Sequence, residues 1–146
     1  MLNESPFLTV ALLEEVFSEF VWPEPYVLKD DGPDGVQVAF PKTNFYFHEC
    51  PEGEVIVQFS PRDTLGENGL HLGHALLVFV PLAERRTRPI SPGLITNESP
   101  FPSPQKTRDG IHNACINILT HCRHVIGGDY SWVPKYLEMR RSDACT

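Results

Sequence analysis

The sequence predicts an α+β fold, an antiparallel sheet of about four to five strands packed with an N-terminal and a C-terminal helix. Three observations carry this. Residues 111–126 hold apolar side chains at helical spacing, and two turn clusters rich in Asp, Glu, Gly and Pro each sit between short alternating segments. The apolar block from Ala75 to Leu82 shows no alternation.

Near the start, Ser5-Pro6 reads as an N-cap followed by proline at the first helical position, and the helix is expected to run to about Phe20. Leu12, Leu13, Val16, Phe17 and Phe20 share one face, while Glu14, Glu15, Ser18 and Glu19 share the other. Pro23 and Pro25 forbid continuation. Glu14 and Glu15 are adjacent on that polar face, so they are expected to be solvated rather than paired for acid-base chemistry.

Tyr26 to Lys29 and Val36 to Phe40 read as strands joined through Asp30-Asp31-Gly32-Pro33-Asp34-Gly35, a hairpin turn. Three aspartates raise the question of calcium, but the closing glutamate and ligand spacing of an EF-hand are missing. A second hairpin is expected from residues 44–50 and 55–60 through Pro51-Glu52-Gly53-Glu54. Within it Phe45 and Phe47 alternate with Tyr46 and His48. Tyr46 therefore marks the second sheet face as a binding surface if no helix covers it.

A polar, glycine-bearing loop over residues 61–73 ends in Leu70-His71-Leu72-Gly73-His74. Ala75 to Leu82 is short enough for a buried central strand. Arg85, Arg86 and Arg88 follow, and a long proline-rich loop is expected over about 83–107 of a single domain 1–146. The second helix is expected to open at Asp109-Gly110 and close at Gly127-Gly128, where glycine reaches the left-handed conformation that satisfies terminal carbonyls. Cys115 and Cys122 lie at the centre of its apolar stripe and are expected to pack as small hydrophobes. His121 and His124 are expected to be solvated. The aromatic segment from Asp129 to Tyr136 is expected to latch the C-terminal tail onto the core.

The chain has 146 residues, 41% hydrophobic, enough to bury about 70% of its unfolded surface. Four cysteines at loose spacing imply free thiols rather than a disulfide framework. No apolar run reaches the ~20 residues that span a bilayer. Asn3 and Glu4 stand where a secretory leader carries basic residues, so a cytoplasmic protein is the default expectation.

Charge is unevenly distributed. Residues 1–67 carry 13 Asp and Glu against 3 Lys and Arg, a balance of −10, and the remainder carries 9 against 6 in the opposite sense, +3, giving the net −7. An acidic half disfavours nucleic acid and favours a basic protein partner, because complementary fields accelerate encounter. By analogy of fold class alone, small acidic α+β proteins resemble immunity proteins, antitoxins and dedicated chaperones, which work by occupying a partner.

The leading expectation is a protein-binding inhibitor, an immunity protein or antitoxin that masks a basic toxin surface. Its contact residues are Asp30, Asp31, Asp34, Glu52 and Glu54 on the two protruding turns, with Tyr46 on the sheet face as a further partner-binding candidate. No cofactor or metal is expected, and enzymatic activity is less expected than binding, because no Gly-rich phosphate loop, nucleophile elbow, CxxC or HExxH occurs. The alternative is a small enzyme or metal-binding domain that uses His48, His71 and His74 with Glu49, since imidazole titrates near neutrality and coordinates transition metals. A third reading is a homodimeric module that buries Trp22, Trp132 or Tyr136.

Overall fold

The structure, a computed structural model, describes residues 7–33, 35–62, 69–80 and 101–144. A five-stranded antiparallel sheet with strand order β1-β2-β3-β4-β5 forms one layer. Helices from both ends of the chain form the other, as the sequence predicts.

Helix α1 spans Val10–Phe17 and buries Leu13, Val16 and Phe17. It begins later than the Ser5-Pro6 signal suggests. Residues 7–9 are not helical, and Thr9 is the cap, its hydroxyl accepting the Leu12 N–H at 3.1 Å. The helix closes early because the Glu19 and Phe20 N–H groups turn back to the Val16 and Phe17 carbonyls, tightening the last turn. Ser5 and Pro6 lie outside the described residues.

Four strands follow almost where the alternation places them: β1 Val27–Asp30, β2 Gly35–Ala39, β3 Thr43–Glu49 and β4 Val55–Pro61. The register sets Val36 opposite Phe47, Val38 opposite Phe45 and Phe45 opposite Phe59, so these side chains share the face that packs on the helices. Gln37, Tyr46 and Gln58 line up on the opposite face. β5 is only Leu70–His71 and meets β4 at Phe59 and Gln58.

The apolar block expected as a central strand is a helix. α2 covers Leu72–Phe79, with Leu72, Ala75 and Leu76 buried. Spacings of three and four residues bury one stripe as well as a strand would bury two faces, and an eight-residue apolar run carries no periodicity to separate the cases. Pro81 and Leu82 lie outside the described residues.

α3 spans Pro104–His121, starting earlier than Asp109-Gly110. Ser103 caps it by accepting the Lys106 N–H at 3.0 Å, with Pro104 at the first turn. Part of the expected proline-rich loop is therefore helix. Its residues 83–100, including Arg85, Arg86 and Arg88, lie outside the described residues. The continuous helix expected to Ile126 breaks at Cys122, and the short α4, Arg123–Ile126, completes the stripe. Gly128 supplies the left-handed stop at φ +94°.

Cys115 and Cys122 are buried and free, as the apolar stripe requires. His124 is not simply solvated, because its ring packs edge-on against Phe79 at 4.6 Å. His121 is half-buried.

The aromatic tail forms a helix, α5 Val133–Ala144. It still latches. Tyr136 is 2% exposed, and Trp132 lies 5.8 Å from Phe59 and 4.8 Å from Phe79. Ring contacts run unbroken from Trp22 through Phe40, Phe45, Phe59 and Trp132 to Tyr136. The three residues expected at a homodimer interface are all members of this internal chain. Among the described residues, no helix is long and apolar enough to cross a membrane.

Candidate functional site

The meander topology decides where the charged turns go. Each strand reverses direction, so the β1–β2 and β3–β4 turns leave the same end of the sheet and the β2–β3 turn leaves the other. Asp30, Asp31, Glu52 and Glu54 are all exposed at that shared end. Asp34 lies outside the described residues.

Both turns are shaped by backbone bonds. The Asp31 N–H donates to the Gly35 carbonyl at 3.0 Å, and Gly32 adopts φ +97° with open space around it. Gly53 adopts φ +92° and is tightly enclosed, since a Cβ there would stand 2.8 Å from the Pro102 Cα. Close packing at this glycine holds the β3–β4 turn against the start of α3. Lys106, mostly buried on the first turn of α3, donates from Nζ to the Glu52 carbonyl at 2.8 Å. Glu52 itself is exposed on a turn tied to α3 through its backbone carbonyl.

Tyr46 stands between Gln37 and Gln58 on the outer sheet face and is half-buried. It occupies the middle of β3, several residues from the turn. The structure thus separates it from the acidic end. The outer face also changes along the strands: Ala39, Asn44 and Ser60, at the β2–β3 end, are buried.

The histidines and glutamate of the alternative reading are divided. Glu49 points into the core, 4% exposed, where Oε1 accepts the Phe7 N–H at 2.7 Å, the Leu8 N–H at 2.8 Å and the Thr107 hydroxyl at 3.2 Å. It is a clasp joining the N-terminal segment, β3 and α3. His48 lies across from Gly35 and Ile56 on the outer face. His71 and His74 do meet, with ring centroids 5.6 Å apart. Among the described residues, no group of three or more His, Cys, Asp or Glu could hold a metal ion.

His71 and His74 border a cleft of about 460 Å³ between the β4 edge, the start of α2 and the middle of α3. Gly110 brings α3 close to the strand, since a Cβ there would stand 2.9 Å from Val55 Cγ2. In the sequence Gly110 reads only as a helix opening, and nothing beside it signals this close approach. Asn113, one helical turn on, also faces the cleft. Burial pushes the His71 pKa below its usual value, and the neighbouring His74 and Arg140 push it in the same direction.

No family model matches this chain, nor does any curated protein or solved structure.

Proposed function

We propose that this protein binds a basic protein partner through the acidic end of its sheet and inhibits that partner by covering it, as immunity proteins and antitoxins do. The observation that carries the reading is the convergence of Asp30, Asp31, Glu52 and Glu54 on one end, exposed and mounted on turns held by backbone bonds and by packing on α3. Clustered charge of one sign on a preordered surface favours fast encounter with a complementary surface and loses little entropy on docking. The class of partner as a toxin rests on the fold-level analogy and on the net charge of −7.

The test compares two triple charge reversals of equal net change. Asp31→Lys, Glu52→Lys and Glu54→Lys alter the acidic end; Glu14→Lys, Glu24→Lys and Glu138→Lys alter exposed carboxylates elsewhere. A partner captured by the unaltered protein is purified and titrated against all three at two salt concentrations. The first variant should lose about tenfold or more in association rate and most of the salt dependence, and the second should change little. Equal losses in both variants would reduce the effect to net charge and remove the assigned face.

A further inference from the structure

Among the described residues, the lane beside β4 is only half filled by strand. β5 stands opposite Phe59 and Gln58, but the next residue, Leu72, begins α2 and the chain leaves the sheet. Two bonds at opposite ends of the β3–β4 hairpin establish which groups of β4 are already used: Cys50 N–H to the Glu54 carbonyl at 2.8 Å, and Arg62 N–H to the Lys42 carbonyl at 3.0 Å. Antiparallel alternation then directs the backbone groups of Val55 and Val57 away from β3, toward the vacated lane. The 460 Å³ cleft occupies that position.

The cleft lining is chemically one-sided. His71 and His74 contribute imidazoles, Asn113 an amide, and the first turn of α2 brings Leu72, Gly73 and His74 to the wall. His71, the N-cap of α2, makes no side-chain capping bond, while its own N–H is taken by the Tyr136 hydroxyl at 3.0 Å. Arg140 reaches that same hydroxyl at 3.2 Å. No carboxylate is among the described residues that line the cleft. His74 Nδ1 and Asn113 Oδ1 are both enclosed without a hydrogen-bond partner among the described residues, a condition that ordinarily costs stability. Rotating the Asn113 amide by half a turn presents its NH₂ in place of the oxygen.

We propose that this cleft binds a small anionic ligand, a carboxylate or phosphate group on a compact apolar body, with the anion held by the histidine pair and the first turn of α2. The volume falls within the usual range of ligand clefts, roughly 300–1,000 Å³, and exceeds what a bare anion fills. Val57 and Leu76 provide the apolar wall for the rest. Tyr136 and Arg140 stand behind the histidine pair from α5. This site does not depend on the acidic end of the sheet, and each can fail without the other.

The test is an amide NMR titration of the full chain with inorganic phosphate, then with acetate, at one fixed pH. Saturable shifts should appear at Leu72, Gly73 and His74, with a dissociation constant in the millimolar range. Phosphate shifts alone would specify a phosphate ligand, and shifts with both probes the shared anion chemistry. A Cβ at Gly73 meets nothing within 4 Å, so Gly73→Asp sets a tethered carboxylate in the cleft at the helix N-terminus. That variant should stay folded, lose the phosphate response and melt no lower than the parent, while Gly73→Ala should keep the response. Undiminished phosphate binding in Gly73→Asp, no saturable shift in the parent, or zinc displacing the anion at His71 and His74 would each overturn the assignment.

Discussion

Glu49 shows how one residue's environment decides between chemistry and structure. The sequence groups it with His48 as a metal ligand or acid-base residue, yet strand alternation turns Glu49 to the opposite face from His48. There it accepts three donors, two of them backbone N–H groups that would otherwise be orphaned. Glu49→Ala should therefore destabilise the fold by about 1–3 kcal/mol, through loss of charge-assisted bonds and exposure of the Phe7 and Leu8 donors to an apolar surround. Glu49→Gln, which keeps an acceptor, should cost less. Urea unfolding of the two variants measures the order; equal losses would show that the N-terminal segment is not held by this carboxylate. Thr43 has the same logic at the other end of β3, donating to the Val125 carbonyl at 2.6 Å while standing 3.1 Å from the Tyr130 hydroxyl. Nothing in the sequence pairs position 49 with 7 and 107, or position 43 with 125 and 130, because such clasps are set by packing between distant elements.

At the scale of elements, the four main strands and the α3–α4 stripe are legible in the sequence because turn clusters and periodicity agree over each segment. Leu72–Phe79 is not, since its apolar run satisfies both periods and tertiary packing chooses. Two serine–proline pairs make the complementary point. Ser103-Pro104 caps a helix where the density of prolines suggests a loop, while Ser5-Pro6 precedes one that starts at Val10. A capping signal needs an amphipathic run directly behind it, and residues 105–110 are polar enough to hide theirs. The acidic turns of the candidate site are legible as charged residues, but their convergence on one end follows from strand order. The cleft leaves no trace in the sequence, being created by the departure of the chain at Leu72. α5 carries the most direct test at this scale. Tyr136 ends the ring chain and its hydroxyl bonds both the start of α2 and Arg140. Removing residues 129–146 should abolish cooperative unfolding monitored by near-ultraviolet dichroism, and Tyr136→Phe should cost about 1 kcal/mol by freeing the His71 N–H. A truncated chain with native dichroism would demote the latch to an accessory.

For the whole molecule, the same burial that closes the core sets a limit at high pH. Burial pushes the Cys122 thiol from 9.0 up to about 12 and Cys115 well above 9.0, and desolvation raises the Tyr130 phenol from 10.0 to about 12 against the opposing bond from Thr43. In each case the folded protein holds its proton more tightly than the unfolded chain does. The stability this reflects is complete below the unfolded values and is lost as pH rises through the folded ones. A tenfold difference in proton affinity between the folded and unfolded chain corresponds to about 1.4 kcal/mol, so these groups together bear on a sizeable part of the roughly 5–15 kcal/mol that stabilises a small domain. Unfolding midpoints in urea should thus fall steadily from about pH 9 toward pH 12. Cys122→Ala should weaken that fall while lowering stability at pH 7 by about 1–2 kcal/mol, the cost of the space left by the sulfur. Native protein at pH 8 should also show Cys115 and Cys122 silent to an aromatic disulfide reagent, with both reacting once unfolded. A midpoint flat to pH 11, or prompt labelling of either thiol in the native state, would mean that the α3–α4 stripe opens to solvent far more readily than its packing implies.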